Sequence, residues 1–157
     1  FEIRASPVSS RLGVGFPYLP PRFGAAYMLF KKRKDGGKES TVTGFWLCEF
    51  KPLFSVVLLK FEGKSRQAFH THAFNSYNWI IWGSVKESVR VSPLSTEIIS
   101  YGPNIKPIYT PMDRYHKVDS DGTTWVLSIR GPWDKYWKEY LEEENRERVL
   151  THGRKEV

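Results

Sequence analysis

The sequence predicts an all-β protein, because short runs of β-branched and aromatic residues recur along most of the chain. Gly, Pro, Asn, Asp and Ser separate these runs, a pattern typical of a β-sandwich or β-barrel. The 157 residues have the length of one domain, and 40% of them are hydrophobic, which is enough to form a core. The runs predict nine strands, at 25–32, 44–50, 54–61, 68–72, 77–82, 85–91, 97–101, 115–118 and 124–130.

The first 24 residues have a different composition from the rest of the chain. They are rich in Pro, Gly and Ser, and they predict an extended arm over residues 1–24. We expect this arm to pack Phe16, Tyr18 and Phe23 onto another surface. Residues 25–157 then form the single predicted domain.

One amphipathic α-helix is predicted near the C-terminus, from about residue 133 to 150. Its apolar stripe recurs at helical spacing, and opposite charges four residues apart occupy the other faces. The stripe is Trp133, Trp137, Tyr140 and Leu141, and the charged pairs are Asp134 with Lys138, Glu142 with Arg146 and Glu144 with Arg148. Pro132 suits the first turn and Gly153 the stop, which leaves His152 on the surface near the end of the helix.

The chain carries 24 basic and 17 acidic residues, a formal net charge of +7 with a pI near 9.5. Much of the excess is local, because Lys31 to Lys34 run directly into the turn signal Asp35-Gly36-Gly37-Lys38. The sequence therefore favours a solvated hairpin tip here over a nucleic-acid-binding patch.

The single cysteine, Cys48, cannot form an internal disulfide, and no apolar run of signal-peptide or membrane-span length is present. We therefore expect a cytoplasmic protein. The segment Gly13-Val14-Gly15 lacks the strand and helix that a nucleotide-binding loop requires, and no nucleophile–base pair is recognisable.

Three histidines form the most informative pattern in the chain. His70 and His72 are one residue apart, so on a strand they point to the same face. His116, on a later predicted strand, supplies a third imidazole that could reach the same point. A single buried histidine is more often structural than a ligand, but the joint pattern predicts a divalent metal site with three nitrogen ligands.

The order of these residues resembles that of the cupin superfamily. His70, His72 and Gly83 match the first cupin motif, although Ser76 stands where glutamate is usual. In the second motif Pro111 and His116 match. Asp113 replaces its glycine, and Ser120 replaces its asparagine. The resemblance implies a jelly-roll β-barrel. It also implies dimers or larger assemblies, which are common among cupins.

Within the superfamily, three histidines without a carboxylate resemble the thiol dioxygenases, of which cysteine dioxygenase is the best known. Segment 83–88 is similar to the hairpin that follows the first motif in those enzymes. Tyr77 stands where some members carry the cysteine of a cysteine–tyrosine crosslink, so that crosslink cannot form here. Segments 69–133 and 146–155 also resemble a group of small bacterial and bacteriophage cupin-like proteins.

The resemblance implies Fe(II) as the metal most suited to the site, with Zn or Ni as alternatives. Three neutral nitrogens leave positions open for a bidentate substrate and dioxygen. The candidate substrate-binding residues are Arg130, Arg114, Ser76 and Tyr77. The arginines could hold a substrate carboxylate in a bidentate fork, although a surface ion pair is the simpler reading for Arg114.

Three classes of function remain open from the sequence. The chain could be an iron-dependent dioxygenase acting on a small anionic thiol or carboxylate. It could also be a non-catalytic cupin that binds a small ligand, or a structural subunit of a larger assembly such as that of a bacteriophage. A homo-oligomer is expected in each case, and nucleic acid and membranes are not expected partners.

Overall fold

A computed structural model describes residues 28–38, 40–64, 68–152 and 154–157. Within these ranges the chain forms twelve β-strands and no helix, so no helix in the described part could span a membrane. The predicted arm and Gly153 lie outside the described residues. The strands are β1 (Met28–Lys34), β2 (Thr43–Phe50), β3 (Phe54–Lys64), β4 (Phe69–His70), β5 (Ser76–Trp82), β6 (Val85–Ser92), β7 (Ser95–Tyr101), β8 (Ile108–Thr110), β9 (His116–Arg130), β10 (Tyr136–Leu141), β11 (Arg146–Thr151) and β12 (Lys155–Glu156).

Strand β9 is the centre of the architecture, and every strand pairing is antiparallel. β3 and then β4 pair along one side of β9, while β5 and then β6 pair along its other side. The C-terminal part of β9 thus belongs to a half-sheet of order β1-β2-β3-β9-β5-β8. Its N-terminal part belongs to a second half-sheet of order β12-β11-β10-β4-β9-β6-β7.

Three glycines mark the corner at which one half-sheet passes into the other. Gly63, Gly83 and Gly122 all have φ of 84°, in the left-handed region that favours glycine. Gly63 lies in β3, Gly122 in β9 and Gly83 between β5 and β6, at the points where the pairing along β9 shifts or is interrupted. At this corner Thr124 Oγ1 donates to Ser84 O at 2.8 Å and accepts from Ser84 N at 3.1 Å, which joins the bent strands.

The core follows the alternation of the strands. Residues at every second position of β3, β5 and the end of β9 point inward, and their neighbours in the chain point outward. The buried apolar cluster comprises Val42, Trp46, Val57, Leu59, Ile80, Val85 and Val126. These residues lie mainly on the first half-sheet and form one side of a cavity between the two half-sheets.

The predicted all-β class is confirmed, but the predicted closed barrel is not. Among the described strands, β1, β7, β8 and β12 each pair on one side only, so the sheet has free edges. The nine predicted strands correspond to observed ones, with 115–118 and 124–130 joined into β9. Strands β8, β10, β11 and β12 were not predicted as strands, and the predicted strand 68–72 is shortened to β4 (Phe69–His70). The predicted hairpin at 35–38 is present, since β1 and β2 pair across it.

The predicted helix over 133–150 is wrong, because this segment forms the β10–β11 hairpin. A spacing of four residues is compatible with a helix and also with two steps of strand alternation, so Trp137 and Leu141 share a face in either structure. The charges pair across the strands instead, with Lys138 to Glu147 at 2.8 Å and Arg148 to Glu139 at 2.7 Å. His152 is exposed as expected, but it follows a strand and not a helix.

Candidate metal centre

The three predicted histidines lie together on the second half-sheet. His70 ends β4 and pairs directly with His116, the first residue of β9. His72 follows β4 in an extended segment, where its N–H donates to Met112 O at 3.0 Å. Thr71 N–H, between them, donates to Lys138 O at 2.9 Å, so β10 also holds this segment in place.

The imidazole nitrogens of the cluster converge. Its ligand atoms all lie within 4.8 Å of one another, and the ring centroids are 4.9 to 5.2 Å apart. His72 Nε2 and His116 Nε2 are 2.6 Å apart. Two lone pairs at this distance repel, so a shared proton or a shared cation is needed between them. This donor set fits a divalent metal ion that prefers nitrogen ligands.

The cluster of possible ligands contains no carboxylate or thiolate from the described residues. Ser76, at the position of the usual cupin glutamate, is buried and accepts a hydrogen bond from Asn78 Nδ2 at 3.0 Å. Asn78 also donates to Thr110 Oγ1 at 3.1 Å. A metal held by the three imidazoles would therefore keep its full positive charge.

Glu87 is the important residue that sequence reasoning missed. It lies on β6 opposite β9, is buried, and its Oε1 is 2.5 Å from His116 Nδ1. A carboxylate at Nδ1 fixes the tautomer in which Nδ1 carries the proton, which leaves Nε2 free to bind a metal. The sequence contains a signal for this position, because Glu87 lies two residues after the core residue Val85 and therefore points to the same side of the strand.

The charge of Glu87 is stabilised from several sides. Burial raises the pKa of this carboxyl, but the hydrogen bond and charge of His116 and the charge of Arg114 outweigh burial and hold it below its usual range. Arg114 Nη1 lies 3.6 Å from Glu87 Oε2. Burial and the nearby charge of Glu87 raise the pKa of Tyr101, which hydrogen-bonds the same carboxylate as a neutral phenol.

The histidines open into a cavity of about 470 Å³ between the two half-sheets. Inward residues of β3, β5, β8 and β9 line one wall, and residues of β6, β7 and β10 line the other. The tip of the β1–β2 hairpin, including Asp35, contributes to the rim. This tip is therefore part of the cavity as well as a surface turn.

Arg130 is buried at the last position of β9 and lines the cavity. Its Nη2 donates to Asp35 Oδ2 at 2.6 Å, and its guanidinium carbon lies 4.6 Å from the centre of the Phe74 ring. The Phe74 ring is in turn 5.2 Å from that of His72. One aromatic ring thus separates the histidine cluster from a buried cation.

The other predicted substrate-binding residues lie in different places. Ser76 lines the cavity, whereas Arg114 is engaged with Glu87 and is not part of the cavity wall. Tyr77 lies on the outer face of the first half-sheet, is 49% exposed, and packs against Tyr109 with ring centres 5.1 Å apart. Trp79 and Trp82, on the same strand, are not in the wall either.

No protein-family model matches the chain, and no curated protein matches it. Solved structures do match. A sugar phosphate isomerase of the cupin superfamily from Silicibacter pomeroyi superposes with a TM-score of 0.54 at 11% identity, over 80% of this chain and 85% of its own. Fe(II) HppE in complex with its substrate gives a TM-score of 0.52 at 11% identity, over 68% of this chain and 64% of HppE.

Oxalate decarboxylase from Bacillus subtilis gives a TM-score of 0.51 at 12% identity, over 80% of this chain but 31% of its own. The chain thus spans about a third of that enzyme and somewhat under two thirds of HppE. At these identities the likeness establishes the fold and not the activity. The molecule has the cupin fold, with a cluster of three histidines that can hold a divalent metal.

Proposed function

We propose that this protein is an Fe(II)-dependent dioxygenase that acts on an anionic substrate bearing a thiol or carboxylate. The convergence of His70, His72 and His116, with Glu87 on the far side of one ring, is the observation that carries the proposal. Iron bound there would supply open coordination positions and the means to activate dioxygen. The overall reaction consumes one dioxygen and places both of its atoms in the product.

The residues of the chain have separate tasks in this scheme. Glu87 keeps His116 in the metal-binding tautomer and supplies negative charge behind it. The serine at position 76 adds no anion beside the metal, so an anionic chelating substrate is favoured by charge. Arg130 offers a buried guanidinium one ring away from His72. Its Nη2 is held by Asp35, and its Nε, which has no hydrogen-bond partner among the described residues, is the group that would donate to a substrate anion.

The test uses protein loaded anaerobically with stoichiometric Fe(II) in an oxygen electrode. A panel of small thiols and carboxylates, extended to aromatic acids, should contain at least one compound that stimulates oxygen uptake, and mass spectrometry with ¹⁸O₂ should find both labelled atoms in the product. The His116→Ala variant is the control and should show no uptake. Absence of uptake above that control for every compound, with iron bound, would overturn the proposal.

A second candidate, a subunit of a homo-oligomeric assembly, is favoured by the outer face of the first half-sheet. One row of uncharged side chains crosses all six strands in register on this face: Tyr109, Tyr77, Ile129, Val56, Cys48 and Leu29. A second row contains Trp79, Leu127, Leu58 and Phe45 and ends at Lys32 on β1. Beyond them Trp82 is 70% exposed.

We propose that a second copy of this chain covers this face. Six strands about 4.8 Å apart and three rows roughly 7 Å apart give about 600 Å² of flat sheet. This figure leaves out the additional surface area of the protruding aromatic side chains. Each partner of a stable interface buries about 800 Å², and interface centres are rich in Tyr and Trp and poor in charge. The first row therefore has the composition of an interface centre, and the flat area of the face is about three quarters of what each partner of a stable interface buries.

Light scattering coupled to gel filtration tests this candidate on the full chain. The wild type should elute as a dimer or larger, and Trp82→Glu or Tyr77→Glu should shift it to the monomer with an unchanged far-UV spectrum. Leu94→Glu is the matched control, because Leu94 is fully exposed on the turn of the other half-sheet. A wild-type monomer at high micromolar concentration would overturn the interface.

A further inference from the structure

The wall of the cavity beyond the histidines is aromatic. Ring centres follow one another from His72 to Phe74 at 5.2 Å, from Phe74 to Trp133 at 4.7 Å, and from Trp133 to His152 at 5.8 Å. Trp137 lies 6.2 Å from His152 and also lines the cavity. The indoles of Trp133 and Trp137 are only partly buried, so both present ring surface to a ligand.

The rim of the same wall is cationic. Five basic side chains line the cavity: Arg33, Lys34, Lys51, Arg130 and Arg154. Three of them are ion-paired, Arg33 with Glu49, Arg130 with Asp35 and Arg154 with Glu139. Lys51 Nζ lies 4.7 Å from the centre of the Trp133 ring and has no carboxylate partner among the described residues. Arg130 is 3% exposed, and its Nε has no hydrogen-bond partner within the described part of the chain.

The cavity is too large for a ligand of the size of cysteine. A volume of about 470 Å³ falls in the range of roughly 300–1,000 Å³ typical of sites for drug-sized ligands. A small thiol at the metal would leave the aromatic wall and the cationic rim without contacts. The remaining space is bounded by flat rings on the wall and by positive charge at the rim.

We propose that the cavity binds a planar aromatic or heteroaromatic acid. Its ring packs against Trp133 and Trp137, and its carboxylate or phosphate lies at Lys51, while a donor group on the ring faces the histidines. Aromatic side chains favour a planar π-system, and cations held in a partly desolvated cavity favour an anion on that ring. This inference rests on the proposed function only for the part of the ligand that reaches the metal.

Calorimetric titration of the metal-free and the Zn²⁺-loaded full chain tests the ring and the anion separately. The probes are 2-naphthoate and 1-naphthyl phosphate, with acetate and inorganic phosphate as ring-free anions and 2-naphthylmethanol as the neutral ring. At least one naphthyl acid should bind the metal-free protein at least tenfold more tightly than its ring-free and neutral counterparts. The stronger of the two identifies carboxylate or phosphate as the anion.

Variants then locate the binding. Trp137→Leu should weaken the naphthyl acid at least fivefold, and Lys51→Gln should weaken the acid but leave 2-naphthylmethanol unchanged. The matched controls are Trp82→Leu on the outer face and Lys106→Gln on an exposed loop, which should have no effect. Trp133 packs against the core, so Trp133→Leu could weaken binding by disturbing the fold. Trp133→Phe keeps a ring at this position and should retain binding.

The outcomes are independent of iron chemistry. Equal affinity for ring-bearing and ring-free anions, or loss of binding in neither Trp137→Leu nor Lys51→Gln, would overturn the inference even if oxygen uptake is observed. Tight binding of naphthyl acids to metal-free protein would support it even if the iron-loaded protein consumed no oxygen.

Discussion

Glu87 Oε1 and His116 Nδ1 are 2.5 Å apart, and both side chains are buried. The pair links two strands of the second half-sheet and turns Nε2 of the imidazole towards His70 and His72. The carboxylate therefore belongs to the candidate metal centre, although it is not one of the candidate ligands. This relationship gives the most direct test of how the site works.

Glu87→Gln should weaken metal affinity by roughly 10- to 100-fold, because the amide oxygen can still accept the hydrogen bond but the negative charge behind His116 is lost. A competition titration against a chromophoric chelator measures the change. Glu97→Gln, at an exposed position of β7, is the matched control and should leave affinity unchanged. Equal affinities for the two variants would show that Glu87 has no part in metal binding.

His72→Ala should abolish retention of a stoichiometric divalent metal while the β-sheet remains folded. The imidazole contributes one of three nitrogen ligands but little of the apolar core. Elemental analysis after gel filtration, together with far-UV circular dichroism, measures both properties in untagged protein. His152→Ala removes the histidine outside the cluster and should retain the metal; loss of metal from both variants alike would contradict the assignment.

Glu139→Ala should destabilise the protein by on the order of 3 kcal/mol, because it leaves two arginines without their buried partner. Glu139 is 1% exposed, and its two oxygens each accept at 2.7 Å from Arg148 and Arg154. Urea unfolding followed by fluorescence measures the loss. Glu143→Ala, in the exposed β10–β11 turn, provides the control. A loss for Glu139→Ala no greater than that control would show that the buried ion pairs add nothing to stability.

Acidification should destabilise the β10–β11 hairpin through Glu147. The hydrogen bond from Lys138 and that from the Tyr115 hydroxyl lower the pKa of Glu147 from 4.5, its usual value. A carboxyl whose pKa is lowered by folding stabilises the protein above its unfolded pKa, and this contribution is lost as the pH falls through the folded value. Glu147→Gln should therefore lose less stability than the wild type between pH 6 and pH 3 in urea titrations, whereas Glu143→Gln should follow the wild type.

Gly83→Ala and Gly63→Ala distinguish the free-energy cost of a left-handed backbone from the cost of a steric clash. Both glycines have φ of 84°, but a Cβ at Gly83 would lie 2.5 Å from Thr124 Oγ1, while a Cβ at Gly63 meets nothing within 4 Å. Gly63→Ala should cost about 1 kcal/mol for the left-handed conformation alone. Gly83→Ala should cost clearly more; equal losses in thermal unfolding would show that the corner adjusts freely.

Most of the strands could be predicted from the sequence because alternation and turn residues agree along residues 28–130. The histidine cluster could be predicted for the same reason, since His70 and His72 share one strand parity. Glu87 lies two residues after Val85 and so points to the same side of β6. The first cupin motif ends at Gly83, however, and therefore gives Glu87 no role in the site. The partnership of Arg130 with Asp35 joins residues 95 positions apart, and no local pattern predicts it.

The C-terminal error has a different origin. Trp133, Trp137 and Leu141 are four residues apart, a spacing shared by helix and strand, and the charges between them also satisfy either structure. The sequence did contain a turn signal at residues 142–145, because asparagine tolerates the left-handed backbone better than most residues. In the structure Asn145 has φ of 47°. Three consecutive glutamates before it were instead interpreted as the polar face of a helix.

The glycine corner lies between two parts of the cavity. The histidines and Glu87 lie on one side of the bend, and Arg130 lies on the other, so the angle at Gly63, Gly83 and Gly122 affects the distance between the candidate metal centre and Arg130. Substitutions near this bend would change that distance without altering any of the candidate metal ligands. Under the proposed function, the metal chemistry and the length of the ligand would then depend on different parts of the chain.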